Sequence, residues 1–130
     1  MENRNNLEYK RSGAWFLFSF RGRINRKPYC IFNLSITLAG VFLGLFTGPV
    51  TDISDISNAQ LAFMLWIFWP SLAIQAKRWH DCDKSALWIL INLVPIAGPI
   101  WALIENCLQP GTPGDNRFGP NPLEQVKERD

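Results

Sequence analysis

Charged side chains are absent from three long stretches of the chain, residues 28–51, 56–76 and 85–104. The runs contain 24, 21 and 20 residues, and a helix needs about 20 apolar residues to cross a hydrocarbon core of roughly 30 Å. A helix of a soluble domain would show polar positions at 3.6-residue spacing, and LAFMLWIFWPSLAIQA, residues 61–76, has no such face. The pattern predicts an all-α integral membrane protein with three transmembrane helices in one domain, residues 1–130.

Composition agrees with this class. Only 18% of the 130 residues are charged, against about 25% in soluble domains. The first apolar run is longer than the core of a cleaved signal peptide, so we expect it to be retained. The 3 cysteines are an odd number and imply no disulfide framework.

The positions of lysine and arginine predict an orientation, because these residues are retained on the cytoplasmic side of short loops. Seven of them precede the first run, the loop TDISDI between the first two runs has none, and residues 77–84 contain three. We therefore expect the N-terminus and residues 77–84 to be cytoplasmic. Three crossings would make the tail, residues 105–130, periplasmic.

The third run allows an alternative path. It contains VPIAGP, residues 94–99, and broken helices are tolerated at membrane depth where protein shelters the freed backbone groups. A re-entrant hairpin would return the tail to the cytoplasm. The simple crossing is favoured here, because proline kinks are common in transmembrane helices.

The apolar stretch within residues 7–27 is too short to cross a membrane. This segment is therefore predicted to be amphipathic and to lie at the membrane interface. Within it, GAWFLFSF is followed directly by the basic RGRINRK. We expect the aromatic side chains to enter the headgroup region and the bases to meet anionic lipid. The aromatic residues are Trp15, Phe16, Phe18 and Phe20, and the bases are Arg21, Arg23, Arg26 and Lys27.

Small and polar residues within the runs predict helix contacts. Gly40, Gly44 and Gly48 recur every four residues along one face, and this spacing lets two backbones approach closely, within the chain or in a dimer. Asn33 and Asn92 need partners from a neighbouring helix. Ionisable residues are absent from the middle of every run, which argues against an ion or proton pathway.

Three motifs, FSFRGRINRKPY, KRWHDCDKSALW and GTPGDNRFGPNP, together resemble the bacterial inner-membrane family known as domain of unknown function 805, the YhaH- and YhaI-like proteins. The resemblance covers residues 15–122 and implies location and fold but no established activity. Departures are Cys30 after Tyr29 and Ala86 after Ser85. The positions that match the family, which we take as candidate interaction motifs, are Gly22, Arg23, Arg26, Arg78, His80, Asp81, Ser85, Gly114, Asn116, Phe118 and Gly119.

Catalytic chemistry is poorly supported at these motifs. His80, Asp81, Cys82 and Asp83 are adjacent, whereas a zinc site draws its ligands from separated pairs. Ser85, the one candidate nucleophile, is equally suited to cap a helix. We predict no catalytic, cofactor-binding or metal-binding residue, and expect His80 and Asp81 to hydrogen-bond within the loop and to the Arg23 and Arg26 region.

The resulting prediction is a non-enzymatic membrane interaction protein or structural partner. Its expected partners are the lipid bilayer and a second copy or another membrane protein, and not nucleic acid, since the net charge is only +2. A small oligomeric transporter or channel component is one alternative. The other is a membrane enzyme that acts on lipid headgroups with Arg78, His80, Asp81 and Asp83.

Overall fold

The computed structural model describes residues 12–127, and this part of the chain is helical with no β-strand. The all-α prediction is confirmed for it. The α-helices are α1 (Gly13–Phe18), α2 (Arg26–Thr47), α3 (Asn58–Asp81), α4 (Ala97–Leu103) and α5 (Pro122–Lys127). Two 3-10 helices, Ile53–Asp55 and Ala86–Leu93, and a π-helix, Ile104–Leu108, lie between them.

Local sequence signals explain where α2 and α3 end and begin. Gly48 follows α2 with φ of 90° and donates its N–H to the carbonyl of Gly44 at 2.9 Å, a backbone conformation that glycine adopts without penalty. Ser57 precedes α3 and forms a capping box with Gln60, each side chain bonding the other residue's backbone N–H. The two long helices are therefore joined by a short, defined loop.

The helices α2 and α3 pack side by side and are the two in the described residues that are long and apolar enough to cross a membrane. The face of α2 that carries the glycines lines a cavity shared with Phe63, Met64 and Ile67 of α3. A Cβ on Gly40 would touch the Phe63 ring at 3.6 Å, whereas one on Gly44 or Gly48 would meet nothing within 4 Å. The glycine stripe therefore makes no close backbone packing at its last two positions.

The third apolar run does not form one continuous helix, so the third transmembrane helix predicted over residues 85–104 is not confirmed. The 3-10 helix Ala86–Leu93 is about 16 Å long and α4 about 10 Å, and neither length crosses a core of roughly 30 Å. Between them Ile96 has φ of 63°, and the chain reverses. We call residues 86–103 the helical hairpin.

The two arms of the helical hairpin are in close contact. A Cβ added to Gly98 of α4 would lie 1.8 Å from the carbonyl oxygen of Ile91 in the first arm. Only glycine permits this approach. The interrupted helix predicted as an alternative from VPIAGP therefore describes the backbone.

Polar residues at membrane depth are satisfied in two ways. Asn92 of the helical hairpin donates to the Oε1 of Gln75 on α3 at 2.9 Å, so the predicted partner from a neighbouring helix is present. Asn33 instead donates to the carbonyl of Tyr29 in its own helix at 2.9 Å. The prediction for the Asn33 donor is wrong, because a free lone pair of an i−4 carbonyl is within reach of a short amide.

The predicted cytoplasmic loop, residues 77–84, is shorter than expected. Helix α3 continues to Asp81, and only the next few residues turn. Ser85 then accepts a hydrogen bond from the N–H of Leu87 at 3.3 Å and caps the 3-10 helix. The capping interpretation of Ser85 is confirmed.

Candidate functional site

Three segments that are distant in sequence meet at the carboxyl end of α3. They are the turn before α2, the end of α3 from residue 77 to residue 81, and the π-helix with the turn-rich tail that follows it. We call the polar residues that meet there the polar cap: Arg23, Lys77, Arg78, His80, Asp81, Glu105, Asn106, Thr112 and Asn116. The first seven are buried and the last two half-buried. Apolar packing of Ile24, Tyr29 and Ile74 lies beneath them.

The Asp81 carboxylate is the centre of the polar cap. Its Oδ1 accepts from Nε of Arg23 at 3.0 Å, and its Oδ2 accepts from Arg78. The side chains of Arg23 and Asp81 are only 1% and 5% exposed. A Cβ on Gly111 would lie 2.1 Å from Oδ2, so the tail passes directly over the carboxylate.

Arg23 also binds the tail through its terminal nitrogens. One donates to the carbonyls of Gly114 at 2.8 Å and Gly119 at 3.2 Å, and the other donates to the carbonyl of Thr112 at 2.8 Å. The predicted pairing with Asp81 is therefore present for Arg23. It is absent for Arg26, which is exposed and donates to the carbonyl of Leu108 at 3.3 Å.

The tail and residues 77–84 lie on the same side of the molecule. Asp81 accepts through its carbonyl from the Thr112 N–H at 2.8 Å, and the His80 carbonyl accepts from Nδ2 of Asn116 at 2.9 Å. The sequence predicted a periplasmic tail and cytoplasmic residues 77–84, and in the structure the two segments are in direct contact.

A second set of contacts closes the base of the helical hairpin. Lys84 precedes its first arm and donates to the carboxylate of Glu105, which follows its second arm, at 2.7 Å. Arg78 donates to the carbonyls of Asn106 at 2.7 Å and Gln109 at 2.6 Å. Both ends of the hairpin are thus held beside the end of α3.

His80 is held by contacts on its ring and its backbone. Its Nδ1 lies 3.2 Å from the carbonyl oxygen of Gly22, and its ring stacks on Phe118 with centroids 4.0 Å apart and an angle of 8°. Ser85 is occupied as a helix cap. Burial raises the pKa of the neighbouring Cys82 thiol, and a raised pKa makes a thiol a poorer nucleophile at neutral pH.

Lys77 has a structural role that the sequence did not reveal. Its Nζ donates to the carbonyls of Trp15 at 2.9 Å and Ser19 at 2.8 Å, and also to that of Phe16. These carbonyls lie at the end of α1, where helical acceptors lack partners. In sequence, a lysine beside an arginine is counted only as a topology signal, and backbone acceptors have no sequence signature.

The glycines of the first and third motifs serve turns. Gly22 has φ of 96°, and a Cβ there would lie 2.8 Å from the Trp15 ring. Gly114 and Gly119 have φ of 68° and 135°, and Gly119 exchanges two backbone hydrogen bonds with Asn116 at 3.0 and 3.1 Å.

The structure thus brings the three motifs together. Within residues 12–127 no group of three or more acidic, histidine or cysteine side chains is arranged to hold a metal ion.

This helical chain, with its polar cap built from three motifs, belongs to the family described as "Protein of unknown function (DUF805)", whose model matches residues 17–120. Two relatives from Escherichia coli (strain K12) carry the name inner membrane protein. YhaH is 40% identical over 105 residues, covering 79% of this chain and 86% of YhaH. YhaI is 32% identical over 103 residues, covering 79% of this chain and 85% of YhaI.

A third relative, the uncharacterized protein YiiR of the same strain, is 32% identical over 97 residues, covering 72% of this chain and 64% of YiiR. No solved structure matches the chain. The chain is thus a member of a family of inner-membrane proteins, and neither the family description nor these names states an activity.

Proposed function

We propose that the chain is a non-enzymatic structural protein of the bacterial inner membrane, in which the polar cap fixes the arrangement of the membrane segments. The observation that carries this proposal is that side chains of the motifs form hydrogen bonds within the chain. Arg23, Arg78 and Asp81 bond to one another and to backbone carbonyls. Buried polar groups that are satisfied in this way specify one structure.

The proposed topology has two crossing helices, α2 and α3, with the helical hairpin entering and leaving the same leaflet. It is supported by the lengths of the hairpin arms and by the Lys84–Glu105 ion pair at the hairpin base. The basic residues before α2 and after residue 76 favour the cytoplasm for this end of the molecule. The N-terminus, residues 77–84 and the tail are then all cytoplasmic, and the loop around Ile53 is periplasmic.

The proposed partners are the lipid bilayer, with anionic lipid at the N-terminal basic segment, and a second copy or another membrane protein. The described part of the segment predicted as interfacial, residues 12–27, supports the lipid proposal. Arg21, Arg26 and Lys27 are exposed, whereas Arg23 is buried and unable to reach lipid. This removes one of the four bases that the sequence assigned to lipid.

Single cysteines test the topology. In a background with the three native cysteines replaced by alanine, Ile53→Cys and Glu124→Cys place one exposed thiol in each predicted compartment. Intact cells are treated with an impermeant maleimide. The proposal predicts labelling at residue 53 in intact cells and at residue 124 only after lysis, whereas labelling of both in intact cells would contradict it.

The non-enzymatic role has its own test. His80→Asn retains a side chain that can bond the Gly22 carbonyl but removes acid–base chemistry. We expect this variant to reproduce the wild-type inner-membrane protein in every cellular readout once its folded amount is matched. A full loss of function at equal folded amount would favour the headgroup enzyme instead.

A further inference from the structure

A groove of about 480 Å³ lies beside α1, on the segment whose carbonyls accept hydrogen bonds from Lys77. Its lining is a mixture of aromatic, small and basic side chains: Ala14, Trp15, Phe18, Ser19, Phe20 and Arg21. The volume is within the range of sites for small ligands, roughly 300 to 1,000 Å³. The combination of a basic end and an aromatic wall suits a ligand with an anionic head and an apolar chain.

The segment that lines the groove is bonded to α3. Trp69 lies eight residues before Lys77 on α3, which is about 12 Å along the helix axis. Its Nε1 donates to the Phe18 carbonyl at 3.2 Å, and its ring meets Phe20 edge-on with centroids 5.1 Å apart. Trp69 and Lys77 thus hold the consecutive carbonyls of Phe18 and Ser19 from two points on α3, and the aromatic wall of the groove is fixed against this helix.

The positive charge of Arg21, which lines the groove, is not neutralised by an ion pair within residues 12–127. Arg21 is exposed. Its carbonyl accepts from Nε1 of Trp15 at 3.1 Å, and its N–H donates to the Ser19 hydroxyl at 3.2 Å. The backbone that bears the guanidinium is thus fixed at the rim of the groove.

We propose that this groove binds one anionic phospholipid, with the phosphate on the guanidinium of Arg21 and an acyl chain against Phe18 and Phe20. The proposal rests on the proposed function, because it needs α1 to lie at the cytoplasmic leaflet. It assigns one defined site to the general attraction between the N-terminal basic segment and anionic lipid. The basic residue and the cavity act together, so neither should suffice alone.

Native mass spectrometry of delipidated protein in neutral detergent tests the proposal. Dioleoyl phosphatidylglycerol is titrated and compared with dioleoyl phosphatidylcholine, which has the same chains. We expect tighter binding of the first phosphatidylglycerol molecule, and a loss of roughly tenfold in Arg21→Gln, the size expected for a hydrogen bond to a charged group. Lys27→Gln removes a nearby exposed base that does not line the groove and should change the affinity less than about threefold.

A second variant separates the cavity from the charge. Ala14 is exposed and lines the groove, so Ala14→Trp fills the groove while Arg21 remains. We expect this variant to lose the preference for phosphatidylglycerol as well. Equal effects of Arg21→Gln and Lys27→Gln, or equal binding of both lipids by the wild type, would overturn the site.

Failure of this site is distinguishable from failure of the topology. The cysteine labelling at residues 53 and 124 uses neither Arg21 nor Ala14. Equal lipid binding with the predicted labelling would remove the lipid site alone. Labelling of residue 124 in intact cells would remove the topology and with it the reason to place α1 at the inner leaflet.

Discussion

Replacing Arg23 with methionine tests how strongly the polar cap holds the tail. The variant keeps a long side chain in the buried position but removes the guanidinium donors by which Arg23 reaches Asp81 and the tail carbonyls. Asp81 retains Arg78 as a partner. The tail loses the guanidinium bonds at Thr112, Gly114 and Gly119.

The magnitude follows from burial. Both partners of the Arg23–Asp81 pair are nearly inaccessible, at 1% and 5%, and breaking a buried pair by removing one partner costs about 3 to 5 kcal/mol. Because Arg78 still compensates Asp81, we expect Arg23→Met to cost about 3 kcal/mol, the lower end of that range. Asp81→Asn should cost more, since it leaves two buried guanidinium groups without a carboxylate.

A matched control exists in the same two segments. Arg117 and Asp83 also join the tail to the end of α3, with Nε and Oδ1 3.2 Å apart, but their side chains are 62% and 47% exposed. An exposed ion pair contributes about 0 to 1 kcal/mol. Arg117→Met should therefore cost less than about 1 kcal/mol.

The assay is reversible unfolding in mixed micelles, followed by tryptophan fluorescence, on Arg23→Met, Asp81→Asn, the double variant and Arg117→Met. The cycle should give a coupling of about 2 kcal/mol between Arg23 and Asp81, as for residues in one ion-pair network. A coupling near zero, or equal losses in Arg23→Met and Arg117→Met, would refute the reasoning.

Three further predictions concern single positions. Gly98→Ala should lower the thermal unfolding temperature in detergent by several degrees, because its methyl group meets a backbone carbonyl at 1.8 Å, whereas Gly44→Ala, with nothing within 4 Å, should not. The Thr51 hydroxyl holds the pKa of Asp55 below its ordinary 3.8. Stability from this bond is therefore present above pH 3.8 and lost as pH falls through the lowered pKa, and an NMR titration of Thr51→Val should show that pKa rising toward 3.8. Burial raises the pKa of Cys82 above its ordinary 9.0, so alkylation by iodoacetamide at pH 7.5 should be slower in the folded protein than in denaturant. An equal rate in both would contradict this.

The charge-free runs were sufficient to predict α2 and α3, because a long apolar segment leaves a helix as the one way to satisfy its backbone in lipid. The Arg23–Asp81 pair could also be predicted, since complementary charges on the same side of the membrane have few other partners. The Ser85 cap is a local signal and was equally readable.

The path of the third run could not be predicted from its hydropathy. An apolar segment that crosses and one that turns back have the same composition, and Pro95 and Gly98 are compatible with both a kink and a reversal. The reversal of the chain is held by the contact of Gly98 with Ile91 and by the ion pair of Lys84 with Glu105. Neither contact is determined by the composition or the hydropathy of the run.

The tail was predicted only as a turn-rich region, and its contacts explain why. Turns leave carbonyl groups without helical or strand partners, and buried carbonyls require donors. Arg23 and Arg78 supply several of these donors to the tail and the π-helix. Because such acceptors occur at every residue, the sequence identifies the arginines but not the carbonyls that they bind.

The contact between the tail and the end of α3, which forms the polar cap, can be tested directly in the membrane. A cysteine pair at Asp83 and Arg117, whose exposed side chains are already in contact, tests it in native membranes of cells carrying the otherwise cysteine-free protein. After treatment with a short bifunctional thiol reagent, which spans the gap that the longer native side chains fill, a maleimide coupled to polyethylene glycol counts the remaining thiols. We expect an intrachain cross-link for this pair and none for the control pair at Ile53 and Arg117. Two free thiols at residues 83 and 117, with the thiol at 117 reacting from outside intact cells, would contradict it.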